Sequence, residues 1–198
     1  FVSEHHRAHA IERFGLDEAR TSVISNAIDI ADLDRPKRVG SERRIGLLGY
    51  VPFLKRPDRA LDLLDALHER DSTYTLHVKG RPPWEYPHVW NDPLERQLYL
   101  EFFARIRGSH RLSESVVFEP FSPAVGNWFR KIGVLVSPSD RETFHLAAAE
   151  GMASGSVPVV WARPGAQEIF GSDLVHGDLE PMVSQILALR DDDVRAEQ

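Results

Sequence analysis

Five short apolar runs recur along this chain, at residues 44–50, 74–78, 116–118, 132–136 and 157–160, with helix-like stretches between them. Runs this short, stopped by Gly49, by Gly80 or by Ser137-Pro138, are the size of strands. In the intervening stretches Leu61, Leu64 and Leu67 repeat at helical spacing over 58–69, and Tyr99, Phe102 and Phe103 give 94–106 an aromatic face. Helices are also predicted over 5–14, 125–131, 144–153 and 178–189, and a further short strand over 21–24. Strands that alternate with helices need right-handed crossovers, so they build a parallel sheet covered on both faces. The predicted fold class is therefore α/β, a doubly wound, Rossmann-like parallel sheet. Sheets of this kind bind ligands beyond the carboxyl ends of their strands, near the point where strand order reverses.

Composition narrows what such a sheet can serve. The chain has 198 residues, enough for one domain with some extra pieces, and 42% are hydrophobic. Its formal net charge of −6 removes a global basic footprint for nucleic acid but leaves room for a local cationic pocket. Cysteine is absent, so neither disulfides nor cysteine metal sites are available. No run of about 18 apolar residues suggests a membrane span. Phe1 begins with neither an initiator Met nor a signal-peptide layout, and the chain reads as a piece of something longer. The expected setting is cytoplasmic, including the inner membrane face for a full-length protein.

The stretch 142–170 (ETFHLAAAEGMASGSVPVVWARPGAQEIF) concentrates the candidate chemistry. A helix starting near Phe144 offers free N–H groups and a dipole that favour an anion at its N-terminus, with Thr143 as a cap or a ligand contact. Alanines 147–149 make the helix slim. Glu142 before it and Glu150 two turns in are suited to sugar hydroxyls and to a ribose diol; without a ligand they are an ordinary surface carboxylate and an ion-pair partner. Lys55, in the loop after Gly49, can reach diphosphate oxygens as a point charge, or be a solvated lysine beside Arg56. Gly80 opens a loop with Trp84, Tyr86 and Trp90, whose rings can stack on a base or staple the loop to the domain. Phe118 and Phe121, around another strand end, are base contacts or core. His5, His6 and His9 lack the flanking carboxylates of a zinc motif and read as solvated. No glycine-rich dinucleotide fingerprint, Walker loop or nucleophile elbow is present.

These residues resemble the glutamate, seven residues, glutamate signature of family-four retaining glycosyltransferases of the GT-B fold. There the pattern runs E-G-F-G-L, then E-A-M-A, Gly, Pro-Val-Val. VLVSPSDR, ARPGAQEIF, GYVPFLK and SVISNAID resemble the family's Pro-Ser loop, glycine turn, lysine segment and interdomain hinge. The resemblance implies the C-terminal, donor-binding half of a GT-B enzyme: residues 1–20 as the tail of an acceptor domain, 21–42 as the hinge, and 43–198 as the nucleotide-sugar domain. It implies that Glu142 and Lys55 are catalytic, Glu142 facing the donor sugar and Lys55 assisting departure of the nucleotide. Gly49, Tyr50, Thr143, Phe144, His145 and Leu146 would surround the diphosphate and sugar, Glu150 would hold the ribose, and Gly80, Phe118 and Phe121 would sit by the base. The substrate would be a nucleotide-diphosphate sugar. No cofactor and no metal are expected, and the acceptor, a glycan, lipid or small molecule, would bind through the other domain.

Departures from the pattern qualify these implications. Tyr50 stands where the family has Arg, which removes half of a cationic clamp; Arg56 and Arg141 are the candidates to replace it. His145 stands where the family has its second Gly. Two alternatives follow, a GT-B sugar-nucleotide epimerase and a nucleotide-sugar binding module without transfer chemistry.

Overall fold

A computed structural model describes residues 1–196, so the last two residues of the expected nucleotide-sugar unit lie outside it. Among the described residues there are six strands: β1 Arg44–Leu48, β2 Thr75–Lys79, β3 Val116–Glu119, β4 Val134–Ser137, β5 Val157–Trp161 and β6 Val175–His176. The helices are α1 Glu4–Phe14, α2 Pro57–His68, α3 Pro87–Trp90, α4 Pro93–Gly108, α5 His110–Ser115, α6 Gly126–Phe129, α7 Leu146–Ala153, α8 Ala166–Phe170 and α9 Leu179–Ala196. All strands are parallel, in the order β3-β2-β1-β4-β5-β6. The order reverses at β1, which pairs Ile45 with Leu76 on one side and with Val134 on the other. This is a doubly wound, Rossmann-like sheet, and the crevice at the reversal lies above the carboxyl ends of β1 and β4.

The two-residue period of the strands sorts their side chains into two cores. Val134 and Val136 join Ile45, Leu47, Val78 and Val159 against α2, α4 and α9, while Leu135 and Val160 turn to the opposite face, under Trp128, Phe129 and Ala148. Every residue of β4 is buried, as a central strand covered on both faces must be. On α2, Leu61, Leu64 and Leu67 are fully buried, each contributing roughly 1.5–3 kcal/mol relative to exposure. Pro57 starts that helix, and Asp92 caps α4 by accepting from the amides of Leu94 and Glu95. α7 packs close on the sheet at Gly151, where a Cβ would stand 2.7 Å from Leu135 Cδ2.

The segments before β1 fold back onto this unit. The Glu168 carboxylate of α8 accepts from the free amides of Glu4 and His5 at 2.6 and 2.9 Å, and so caps α1 from a distance. The linker carries a buried anchor, Leu33, and Lys37, whose ammonium donates to the Phe129 and Ile132 carbonyls and to the Ser154 and Ser156 hydroxyls.

Several expectations are corrected. Residues 21–24 form no strand, because their backbone bonds no strand of the sheet: the Phe1 amine donates to Ser22 O, Ile24 N donates to Phe1 O, and Thr21 N donates to Glu18 O. The short elements α3, α5, α8 and β6 carry too few residues to show a period. The helix expected from Phe144 begins at Leu146, because His145 adopts a left-handed conformation.

Candidate functional site

The crevice at the strand-order reversal is built from three segments. The loop after β1 carries Lys55, the loop after β4 carries Glu142 to His145, and α7 points its N-terminus between them. A cavity of about 280 Å³ is lined there by Asn26, Leu48, Lys55, Glu142, Thr143, Phe144, His145, Leu146 and Ala147. Thus Lys55, Glu142 and the start of α7, distant in sequence, face one space. Thr143 lines it but does not cap α7, whose capping residue is His145 with no side-chain bond to a helix amide.

Glu142 is held firmly. Its Oε1 accepts from Lys55 Nζ at 2.5 Å and from Ser139 Oγ at 2.8 Å, and His145 Nε2 lies 3.8 Å away. Burial by itself would push this carboxyl up, but His145, Lys55 and Ser139 outweigh it and hold Glu142 below the usual glutamate range. It is therefore ionised at neutral pH. The buried His145 is also lowered, to about 4, chiefly by desolvation, so its imidazole is uncharged. Arg163, from the loop after β5, approaches the same carboxylate; burial lowers its pKa and Glu142 partly offsets that.

Glu150 does not line this cavity. It sits three and four residues beyond Ala147 and Leu146, one turn further along the helix face that closes the space. Its carboxyl is raised by burial, and its side chain has no hydrogen bond or ion pair among the described residues.

Leu48 continues the site into a neighbouring cavity of about 250 Å³, lined by Gly49, Tyr50, Lys79, Gly80, Arg81 and Phe121 among others. Gly49 and Tyr50 thus lie one strand tip away from the Lys55–Glu142 space. Tyr50 is only 3% exposed: its ring packs on Tyr99 and Phe118, its carbonyl accepts the Tyr99 hydroxyl at 2.6 Å, and burial pushes its phenol up to about 12. The ring forms the wall between this cavity and another of about 360 Å³ that holds Gly80, Trp84 and Phe118. Arg81 lies 4.9 Å above the Phe121 ring.

Of the two candidates to replace the missing arginine, Arg56 is engaged by Asp58 and Asp140. Arg141 is exposed, carries no ion pair among the described residues, and lines a larger cavity of about 740 Å³. His5, His6 and His9 form its far wall, and it shares Glu142 and Thr143 with the first cavity. The histidines read as solvated therefore face the candidate site. No group of three or more His, Cys, Asp or Glu among the described residues could hold a metal ion. Sequence reasoning also missed Asn26, Ser139 and Arg163, although each lies in a segment with a recognisable signal: the hinge, the Pro-Ser loop and the glycine turn.

A family model described as "Glycosyl transferases group 1" matches residues 42–192. A D-inositol 3-phosphate glycosyltransferase of Frankia alni is 30% identical over 86% of this chain and 43% of its own length, so the chain spans about two fifths of that relative. Anabaena HepE, crystallised with UDP and glucose, superposes with a TM-score of 0.73 at 17% identity, over 97% of this chain and 53% of its own. The C-terminal domain of a group 1 glycosyl transferase from Francisella tularensis superposes at 0.63 and 17% identity, over 84% of this chain and 89% of its own. No described helix is long and apolar enough to cross a membrane.

Proposed function

This chain belongs to the group 1 glycosyl transferases, and from that premise we propose that it binds a nucleoside-diphosphate sugar as the donor half of an enzyme that transfers the sugar with retention at the anomeric carbon. The observation that carries this is the single cavity into which Lys55, Glu142 and the N-terminus of α7 converge. On this reading the diphosphate lies against the α7 amides and the Lys55 ammonium, which meet the charge that grows on it as the sugar departs. Lys55 then turns part of its interaction from Glu142 to phosphate. Glu142 accepts from sugar hydroxyls, Glu150 takes the ribose diol, and the base lies past Leu48 in the cavity of Gly80 and Phe121. No metal ion is called on. UDP is the first donor nucleotide to try, since it is the one bound in the related Anabaena structure. The acceptor would reach the anomeric carbon from a second domain.

A thermal-shift screen of UDP, GDP, ADP and their sugars tests this. A bound nucleotide at about 100 times its Kd adds ~2.7 kcal/mol, which for a chain of this size raises Tm by about 5–10 °C. If no nucleoside diphosphate shifts the melting curve, the proposed site is wrong.

A further inference from the structure

Resting on that reading, we infer that His145 is a positioning residue: Ser137 fixes its imidazole so that the Nε2–H faces Glu142 and holds that carboxylate toward the donor sugar. The backbone supplies the first reason. His145 sits at φ 69°, ψ 72°, and is one of two non-glycine residues at positive φ among the described residues, the other being Arg56. Glycine occupies such a conformation without steric penalty, and a side chain retained there is retained against strain. The strain must therefore be offset by what the imidazole does.

The imidazole is not a surface group. Its side chain is 5% exposed, and its Nδ1 lies 2.5 Å from Oγ of Ser137, itself fully buried at the end of β4. The other nitrogen, Nε2, is 3.8 Å from Glu142 Oε1. The ring is uncharged, so one nitrogen bears a proton and the other a lone pair. A lone pair on Nε2 would face an ionised carboxylate and be repelled. A proton on Nε2 is attracted, which leaves Nδ1 to accept from the Ser137 hydroxyl.

The consequence falls on Glu142. Lys55, Ser139 and His145 all address Oε1, while Oε2 has no hydrogen bond from the protein among the described residues. The carboxylate is thus pinned by one oxygen and offers the other to a ligand. Because the imidazole is neutral, it steadies Glu142 without adding a cation that competes with Lys55 for it. Glycine at this position would leave that side of the carboxylate unsupported.

Two measurements on the whole chain test this. Nitrogen-15 NMR of labelled histidine at pH 7, without ligand, should find the His145 proton on Nε2, and Ser137→Ala should redistribute it between the two nitrogens. A proton on Nδ1, or a charged ring, overturns the proposal. By calorimetry, the ratio of UDP-glucose to UDP affinity should fall about 2- to 5-fold in His145→Gly, the worth of a polar contact at 3.8 Å, longer than a hydrogen bond. His145→Asn, which tolerates positive φ and keeps an amide donor, should recover part of that loss and covers the case in which the glycine variant fails to fold. An unchanged ratio in both variants refutes the positioning role. Should the unaltered chain bind neither ligand, the donor-site reading fails, and the NMR result still decides the geometry of His145.

Discussion

Replacing Glu142 by Gln is expected to tighten the binding of UDP even though Glu142 belongs to the site. In the free protein the Lys55 ammonium is committed to Glu142 Oε1 at 2.5 Å, so an incoming diphosphate competes with a carboxylate already in place. The pair is partly shielded, with side-chain exposures of 27% and 13%. Its gross attraction is several kcal/mol, but solvation of two partly accessible charges offsets most of it and leaves about 1 kcal/mol. Gln keeps the size of Glu and can still accept from Ser139, but it does not bind an ammonium as an ion. Releasing Lys55, and removing a negative charge beside the phosphates, both act in the same direction. UDP affinity should rise about fivefold. Titration calorimetry on the single variants Glu142→Gln and Lys55→Ala and on the double variant isolates the effect. Most of the gain from Glu142→Gln should disappear once Lys55 is gone, leaving only the smaller part due to the removed charge, with a coupling of about 1 kcal/mol. If Glu142→Gln weakens UDP, or the gain survives in full in the Lys55→Ala background, the competition between carboxylate and diphosphate for Lys55 is not what sets affinity here.

Lys55→Ala alone should weaken UDP about 10- to 100-fold, the value of one charge-assisted contact, and an unchanged calorimetric Kd would take Lys55 out of the diphosphate site. Glu150→Gln should cost affinity for a ribonucleotide more than for its 2′-deoxy analogue; equal losses would mean that the carboxylate does not touch the ribose. Lys37 supplies a pH test of stability. Burial lowers its ammonium from 10.5 to about 8, so between those values the unfolded chain binds the proton that the folded chain has released. The burial cost is present in full below pH 8 and is relieved as pH rises toward 10.5. Urea melts of the parent and of Lys37→Met should therefore show the parent gaining relative stability from pH 7.5 to 10, and parallel curves would mean that Lys37 stays charged throughout.

The framework of the fold was legible because it rests on local signals. Each of β1 to β5 is an apolar run, α2 and α4 show helical spacing, and the two-residue alternation of 134–136 divides the cores. The same holds for the segment of the site contributed by one stretch of chain, where Glu142 precedes α7 and Glu150 lies within it, although the helix begins at Leu146 and not at Phe144. The one-turn helix α8 and the two-residue strand β6 are too short for a period to show, and 21–24 has strand-like composition but no sheet edge to join.

The sequence by itself therefore determined a parallel sheet with helices on both faces, and an acidic pair astride a helix N-terminus at its crevice. Only the tertiary structure decided that Lys55 reaches across 87 residues to Glu142, that Tyr50 turns into the core among Tyr99 and Phe118, and that the linker is fastened through Lys37. It also decided that His145, while bordering the cavity, is buried with its ring fastened to Ser137. The physical reason is common to all four. Each side chain's partner lies in another segment, and which partner it meets depends on strand order and on competition for burial and for hydrogen bonds, which become defined only once the sheet is assembled.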